Sequence, residues 1–106
     1  MRYRRIGIIG DVHGQARNLA KALALLRDQS VDSIVSVGDI VDGPESIDEC
    51  CDLLVRHRVL AVCGNHERWM FTGQMRSVPN ATFTSSLQRR SRDFLASLPA
   101  VRVRQS

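Results

Sequence analysis

Short β-branched and apolar runs alternate along this chain with longer stretches in which apolar residues recur every three or four positions. Ile6, Ile8 and Ile9 mark a first strand over residues 5–10. Leu19, Leu23 and Leu26, with Ala16, Ala20 and Ala22 filling in, share one face of a helix over 15–27. A second strand is predicted over 33–37 and a third over 58–63. Between them, Ser46-Ile47-Asp48-Glu49 reads as a capping box, in which serine oxygen and glutamate satisfy free N–H groups at a helix start. That helix runs to about His57 and buries Ile47, Cys50 or Cys51, and Leu54. The order β-α-β-α-β with short connections predicts a parallel sheet with right-handed crossovers. After Glu67 the pattern changes: a short helix over 68–71, then a loop over 72–84 containing Gly73, Pro79 and Asn80. Ser85-Ser86-Leu87-Gln88 reads as a second capping box. The helix after it carries Leu87, Phe94, Leu95 and Leu98 until Pro99 stops it. Residues 99–104 read as one more strand.

Composition narrows the class. A chain of 106 residues is one domain at most, and 43% hydrophobic residues suffice for a modest core. No apolar stretch is long enough to span a membrane. The basic start, Met1-Arg2-Tyr3-Arg4-Arg5, is followed by too few apolar residues before Asp11 for a signal-peptide core. A cytoplasmic protein without a membrane partner is expected. Cys50, Cys51 and Cys63 form no C-x-x-C pair, and an odd count gives no disulfide framework, so reduced and buried thiols are expected. The net charge is +4, carried almost wholly by arginine, with Lys21 the one lysine. Arg89, Arg90, Arg92, Arg102 and Arg104 cluster late. Such a surface attracts phosphorylated substrates or nucleic acid. No aromatic residues interleave with these arginines, so a solvated helix face is the simpler reading and nucleic acid is unsupported.

The candidate chemistry lies in three strings: Gly10-Asp11-Val12-His13-Gly14, Gly38-Asp39-Ile40-Val41-Asp42-Gly43 and Gly64-Asn65-His66-Glu67. Each follows a predicted strand. In an open α/β sheet the carboxyl ends of the strands form the ligand crevice. Asp11, His13, Asp39, Asp42, Asn65 and His66 should therefore converge. Oxygen and imidazole donors suit divalent Mn, Fe or Zn. Two metals sharing a carboxylate can drive attack on a phosphate ester. Any one string alone marks no more than a turn.

In this order, D-x-H, G-D-x-x-D-G and G-N-H-E resemble the calcineurin-like metallophosphoesterase superfamily. The resemblance is to its small bacterial phosphodiesterases and phosphatases more than to the large protein phosphatases. The protein-phosphatase branch has a phosphate-binding arginine after the second aspartate of the middle motif, where this chain has Gly43 and then Pro44. The resemblance implies an α/β fold: parallel β-α-β-α-β layers forming the first half of a metallophosphoesterase sandwich. Its C-terminal half and downstream histidines are expected to be absent, so that 1–106 is a single incomplete domain. It further implies two divalent metals (Mn, Fe, Zn or Ni, with manganese first). Asp11 and His13 would bind one, Asp39 would bridge, and Asn65 would bind the other through its amide oxygen. A hydroxide between them would attack a phosphomonoester or phosphodiester. His66 would protonate the leaving group, and Asp42 would orient His66. Glu67 reads only as charge near a helix N-terminus. His57 reads as a surface or C-cap histidine, and Trp69, Met70 and Phe71 as local core. The few ligands for a second metal leave an alternative, a catalytically inactive module that binds or dimerises through an uncovered sheet. A homodimer, or a second chain completing the sheet and the ligand set, is the implied partner besides the phosphate-ester substrate.

Overall fold

A computed structural model of the chain describes residues 5–101. Three strands, β1 (Ile6–Ile9), β2 (Ser33–Ser36) and β3 (Leu60–Ala61), pair in parallel in the order β1-β2-β3. Four helices follow the strands or one another: α1 (Ala16–Asp28), α2 (Ile47–Arg56), α3 (Asn65–Thr72) and α4 (Arg89–Ala96). This is the parallel β-α-β-α-β order that the apolar pattern predicts.

Strand register separates two faces, because successive side chains alternate. Ile9 lies level with Ser36, and Ser36 with Ala61, and all three are buried. On the opposite face Ile8 pairs with Val35 and Val35 with Leu60, yet Ile8 is 70% exposed and Leu60 37%. One face is thus sealed and the other is open. The sealed side holds one continuous core that includes Leu19, Leu23, Ile34, Leu54, Leu95 and Leu98. Burying each such side chain contributes roughly 1.5–3 kcal/mol. Helix α2 packs against both α1 and α4.

Helix starts are fixed by side chains that reach free N–H groups. Ser46 Oγ accepts from Glu49 N–H at 3.1 Å, and Asp48 and Glu49 place negative charge in the first turn of α2. Gln15 gives α1 no side-chain cap, and Glu45 accepts instead from Arg17 N–H at 3.0 Å. His57 is the C-cap of α2, its carbonyl accepting from Arg27 at 2.5 Å.

Four expectations need correction. The third strand has only two residues, Leu60 and Ala61, which pair in register with Val35 and Ser36; Val62 adds one N–H bond to the Ser36 carbonyl at 3.1 Å before the chain turns away. Helix α3 begins at Asn65 rather than at residue 68, since Glu67 reaches back to cap Gly64 N–H at 2.8 Å. The capping box expected at Ser85-Ser86-Leu87-Gln88 does not form. Residues Thr84–Ser86 make one 3₁₀ turn, and α4 is started by Asp48 of α2, which accepts from Gln88 N–H at 3.0 Å and Ser91 Oγ at 2.6 Å. Residues 99–101 are not in a strand, and residues 102–104 of the predicted final strand lie outside the described residues.

Both cysteines of α2 are buried, where the sequence pattern left open which one would be. Burial pushes each thiol from its ordinary 9.0 up to about 12. Between those values the unfolded chain releases protons that the folded one still holds. Stability is therefore whole below pH 9 and falls as pH rises toward 12. The urea midpoint should decline over this range in the native sequence and decline less in a Cys50→Ala/Cys51→Ala double variant. Equal declines would refute the assignment.

Candidate metal centre

Each motif string begins where a strand ends, and backbone bonds lock the strings together. His13 N–H donates to Asp39 carbonyl at 2.9 Å and Gly14 N–H to Ile40 carbonyl at 2.8 Å. Within the middle string, Ile40 and Val41 are fully buried and act as apolar anchors between Asp39 and Asp42. Asp11, His13, Asp39 and Asp42 all adopt left-handed backbone, with φ of 43°, 41°, 55° and 67°. Such conformations cost an L-residue roughly 1–2 kcal/mol and concentrate at functional sites.

Two glycines allow the close approach. A Cβ on Gly64 would lie 2.3 Å from Asp39 Oδ1, and one on Gly43 would lie 1.5 Å from the His13 carbonyl oxygen. No side chain fits at position 43 along this path.

The structure brings Asp11, His13 and Asp39 together: their ligand atoms all lie within 4.8 Å of one another. The donor chemistry fits a divalent ion. His13 Nδ1 faces Val41 carbonyl at 3.0 Å. A carbonyl only accepts, so Nδ1 carries the proton and Nε2 keeps a free lone pair. Asn65 is placed differently. It is exposed at the start of α3, and its amide oxygen accepts from the Arg68 guanidinium. The next residue closes on the site, with His66 N–H donating to Asp39 Oδ1 at 3.1 Å.

The His66 ring lies edge-on to His13, centroids 4.5 Å apart, and its Nδ1 meets Asp42 Oδ2 at 2.8 Å. Asp42 is buried and accepts from four donors: His66, Thr82 N–H at 2.7 Å, and both Nη atoms of Arg76 at 2.8 and 2.9 Å. Burial works against its charged form, but the Arg76 fork, Thr82 and His66 outweigh it and hold the carboxyl below its usual range.

Three residues that organise this site carried no motif signal for that role. Arg76 and Thr82 come from the irregular segment before Thr84. Glu67 reaches much further than helix-terminal charge. Its side chain is fully buried and accepts from Asp39 N–H at 2.8 Å, Ile40 N–H at 2.7 Å, Val41 N–H at 3.1 Å and Gly64 N–H at 2.8 Å. The expected local core of α3 is only partly found. Met70 is buried, Phe71 is exposed, and Trp69 is half-buried with its ring 4.7 Å from that of His66. Among the late arginines, Arg90 forks onto Asp52 at 2.9 Å and Arg89 lies 3.8 Å from Asp93, while Arg102 and Arg104 fall outside the described residues. Among the described residues, no helix is long and apolar enough to cross a membrane.

Comparison with known proteins assigns the family. The calcineurin-like phosphoesterase family profile matches residues 4–104. The chain belongs to that family. Members are phosphoester hydrolases that use divalent metals. Serine/threonine-protein phosphatase 1 of Salmonella typhimurium is 43% identical over 62% of this chain and 31% of its own length. Serine/threonine-protein phosphatase 2 of Escherichia coli is 42% identical over 61% of this chain and 30% of its own. A metallophosphoesterase from Sphaerobacter thermophilus superposes with a TM-score of 0.66 at 32% identity, covering 92% of this chain and 42% of that one. A proposed diadenosine tetraphosphatase superposes with a TM-score of 0.68 at 26% identity, covering 92% and 48%. The chain thus spans about a third of the curated relatives it matches.

Two outcomes follow from these contacts. Glu67→Gln turns an amide N–H₂ toward two buried N–H donors. At about 1–3 kcal/mol for each unsatisfied group, it should cost at least about 2 kcal/mol in urea unfolding. Asp11→Gly removes a left-handed L-residue and one of two facing carboxylates. It should raise metal-free stability by about 1 kcal/mol while weakening metal uptake. A loss of stability there would contradict the strain argument.

Proposed function

We propose that this chain carries the metal- and proton-handling half of a phosphoester hydrolase site acting on phosphomonoesters or phosphodiesters. The carrying observation is the convergence of Asp11, His13 and Asp39 within 4.8 Å, with the His66–Asp42 pair beside them. Asp11, Asp39 and His13 Nε2 would hold a divalent ion, with manganese the first to try. Bound divalent metals would polarise a phosphoryl oxygen and lower the pKa of water.

The chain's own groups supply the rest. A carboxylate cannot donate, so the proton between His66 and Asp42 sits on His66 Nδ1. Nε2 is then the atom left to exchange a proton with the leaving oxygen. Asp39 holds the His66 backbone through its N–H bond and so fixes the ring relative to the donor set. The described residues provide three protein donors for one ion. A second would rely on Asp39, on Asn65 released from Arg68, and on donors from elsewhere in the same or another chain.

The test is hydrolysis of a chromogenic phosphomonoester and phosphodiester with added Mn²⁺, beside Asp39→Asn. Mn²⁺ binding should be followed in parallel by calorimetry. Activity and tight binding should both be lost in the variant. Turnover unchanged by Asp39→Asn would sink the reading.

A further inference from the structure

Asp42 can act on His66 only if its carboxylate is ionised and its plane is fixed. The structure shows what fixes it. Arg76 lies in the irregular segment between α3 and the 3₁₀ turn, with its side chain only 12% exposed and that of Asp42 1%. Its Nη1 and Nη2 meet Asp42 Oδ1 and Oδ2 at 2.8 and 2.9 Å, a two-point fork that sets the carboxylate plane. Thr82 fills the other lone pair of Oδ1 through its N–H, and Thr82 Oγ1 accepts from Asp42 N–H at 2.9 Å. The lone pair left on Oδ2 is the one that meets His66 Nδ1 at 2.8 Å.

Arg76 is itself largely committed. Nε donates to Gln74 carbonyl at 2.8 Å and Nη1 also to Thr82 carbonyl at 2.8 Å, so four of its five N–H groups are used. With one N–H left, the guanidinium has no second fork with which to clamp a substrate phosphate. We infer that Arg76 is a positioning residue: its fork on Asp42 holds the Oδ2 lone pair on His66 Nδ1 and so selects the ring tautomer that leaves Nε2 for the leaving group. This rests on the proposed function of His66, but the geometry gives it a readout of its own. A carboxylate freed from its fork can rotate about its own bond or take up a proton in its buried setting, and either change releases His66 Nδ1.

The experiment uses the whole chain with ¹⁵N-labelled histidine, free of metal, at mildly alkaline pH. The three histidines are assigned with His→Gln variants, and proton–nitrogen multiple-bond spectra report which nitrogen of each ring is protonated. In the native sequence His66 should be protonated at Nδ1. In Arg76→Lys, which keeps the charge but lacks the fork, the balance should move toward the Nε2–H form. With Mn²⁺ and a chromogenic ester, kcat should fall about tenfold or more, within the range of general acid–base contributions, and KM should change little. Arg76→Met should move the tautomer further. If that variant does not fold, Arg76→Lys decides. An unchanged His66 tautomer in Arg76→Lys overturns the inference, as does a changed tautomer with unchanged kcat, or a rise in KM with kcat intact. If the native chain is inactive with every metal, the phosphoesterase reading fails, and the tautomer comparison still decides the role of Arg76.

Discussion

The Glu67 carboxylate is the interaction on which the site depends. It stands on the first turn of α3 and takes four backbone N–H groups, two on each oxygen. Three belong to the turn after β2 and one to the end of β3. Neighbouring strands can place those two chain ends side by side, but they cannot hold a left-handed Asp39 there. A buried turn with three inward N–H groups would otherwise leave each unsatisfied, at about 1–3 kcal/mol apiece. One side chain removes that cost, caps α3, and fixes the backbone from which Asp39 and His66 project. The candidate metal centre is built on a structural acid that itself has no lone pair left to offer.

Much of the fold was legible because periodicity reports burial. Leu19 and Leu23 of α1 and Ile47 and Leu54 of α2 lie inside where the three-to-four spacing puts them. Ser46 caps where the local pattern says it should. The motif strings told which acids gather at the strand ends, since topology alone brings those ends together. What escaped the sequence has one physical character. Glu67 to Ile40, Arg76 to Asp42, Thr82 to Asp42 and Asp48 to Ser91 are bonds between residues far apart in sequence. A single long-range polar contact has no period and no preferred spacing, so it leaves no trace in a linear pattern. The same cause explains the misplaced start of α4. Two serines looked like a cap, but a carboxylate from another helix took the free N–H first.

The open sheet face follows from the same alternation that seals the other. Parallel sheets are ordinarily covered on both sides. Here α1, α2 and α4 share one core, while Ile6 and Ile8 stand 49% and 70% exposed on the opposite face. The metal-site turns are held from the covered side, through Ile40 and Val41 in the core and through Glu67. The candidate centre's geometry is consequently set from the covered side of the sheet, independently of what meets Ile8.

The four acids of the motif strings can be ranked by how many lone pairs the protein already uses. Glu67 is saturated by four backbone N–H groups, and Asp42 by Arg76, Thr82 and His66. Asp39 accepts from His66 N–H on Oδ1, and among the described residues no further hydrogen bond reaches its carboxylate. Asp11 is exposed. An acid with every lone pair filled by a protein donor cannot also coordinate an ion, whereas a partly filled one in strained backbone can. This separates supporting acids from ligand acids without reference to any motif. It leaves Asp11 and Asp39 as the candidate ligand acids, with Asp42 and Glu67 supporting them. It also explains why the strain is tolerable: the buried charges of Asp42 and Glu67 are matched by protein donors, and only Asp11 and Asp39 are left to meet a ligand.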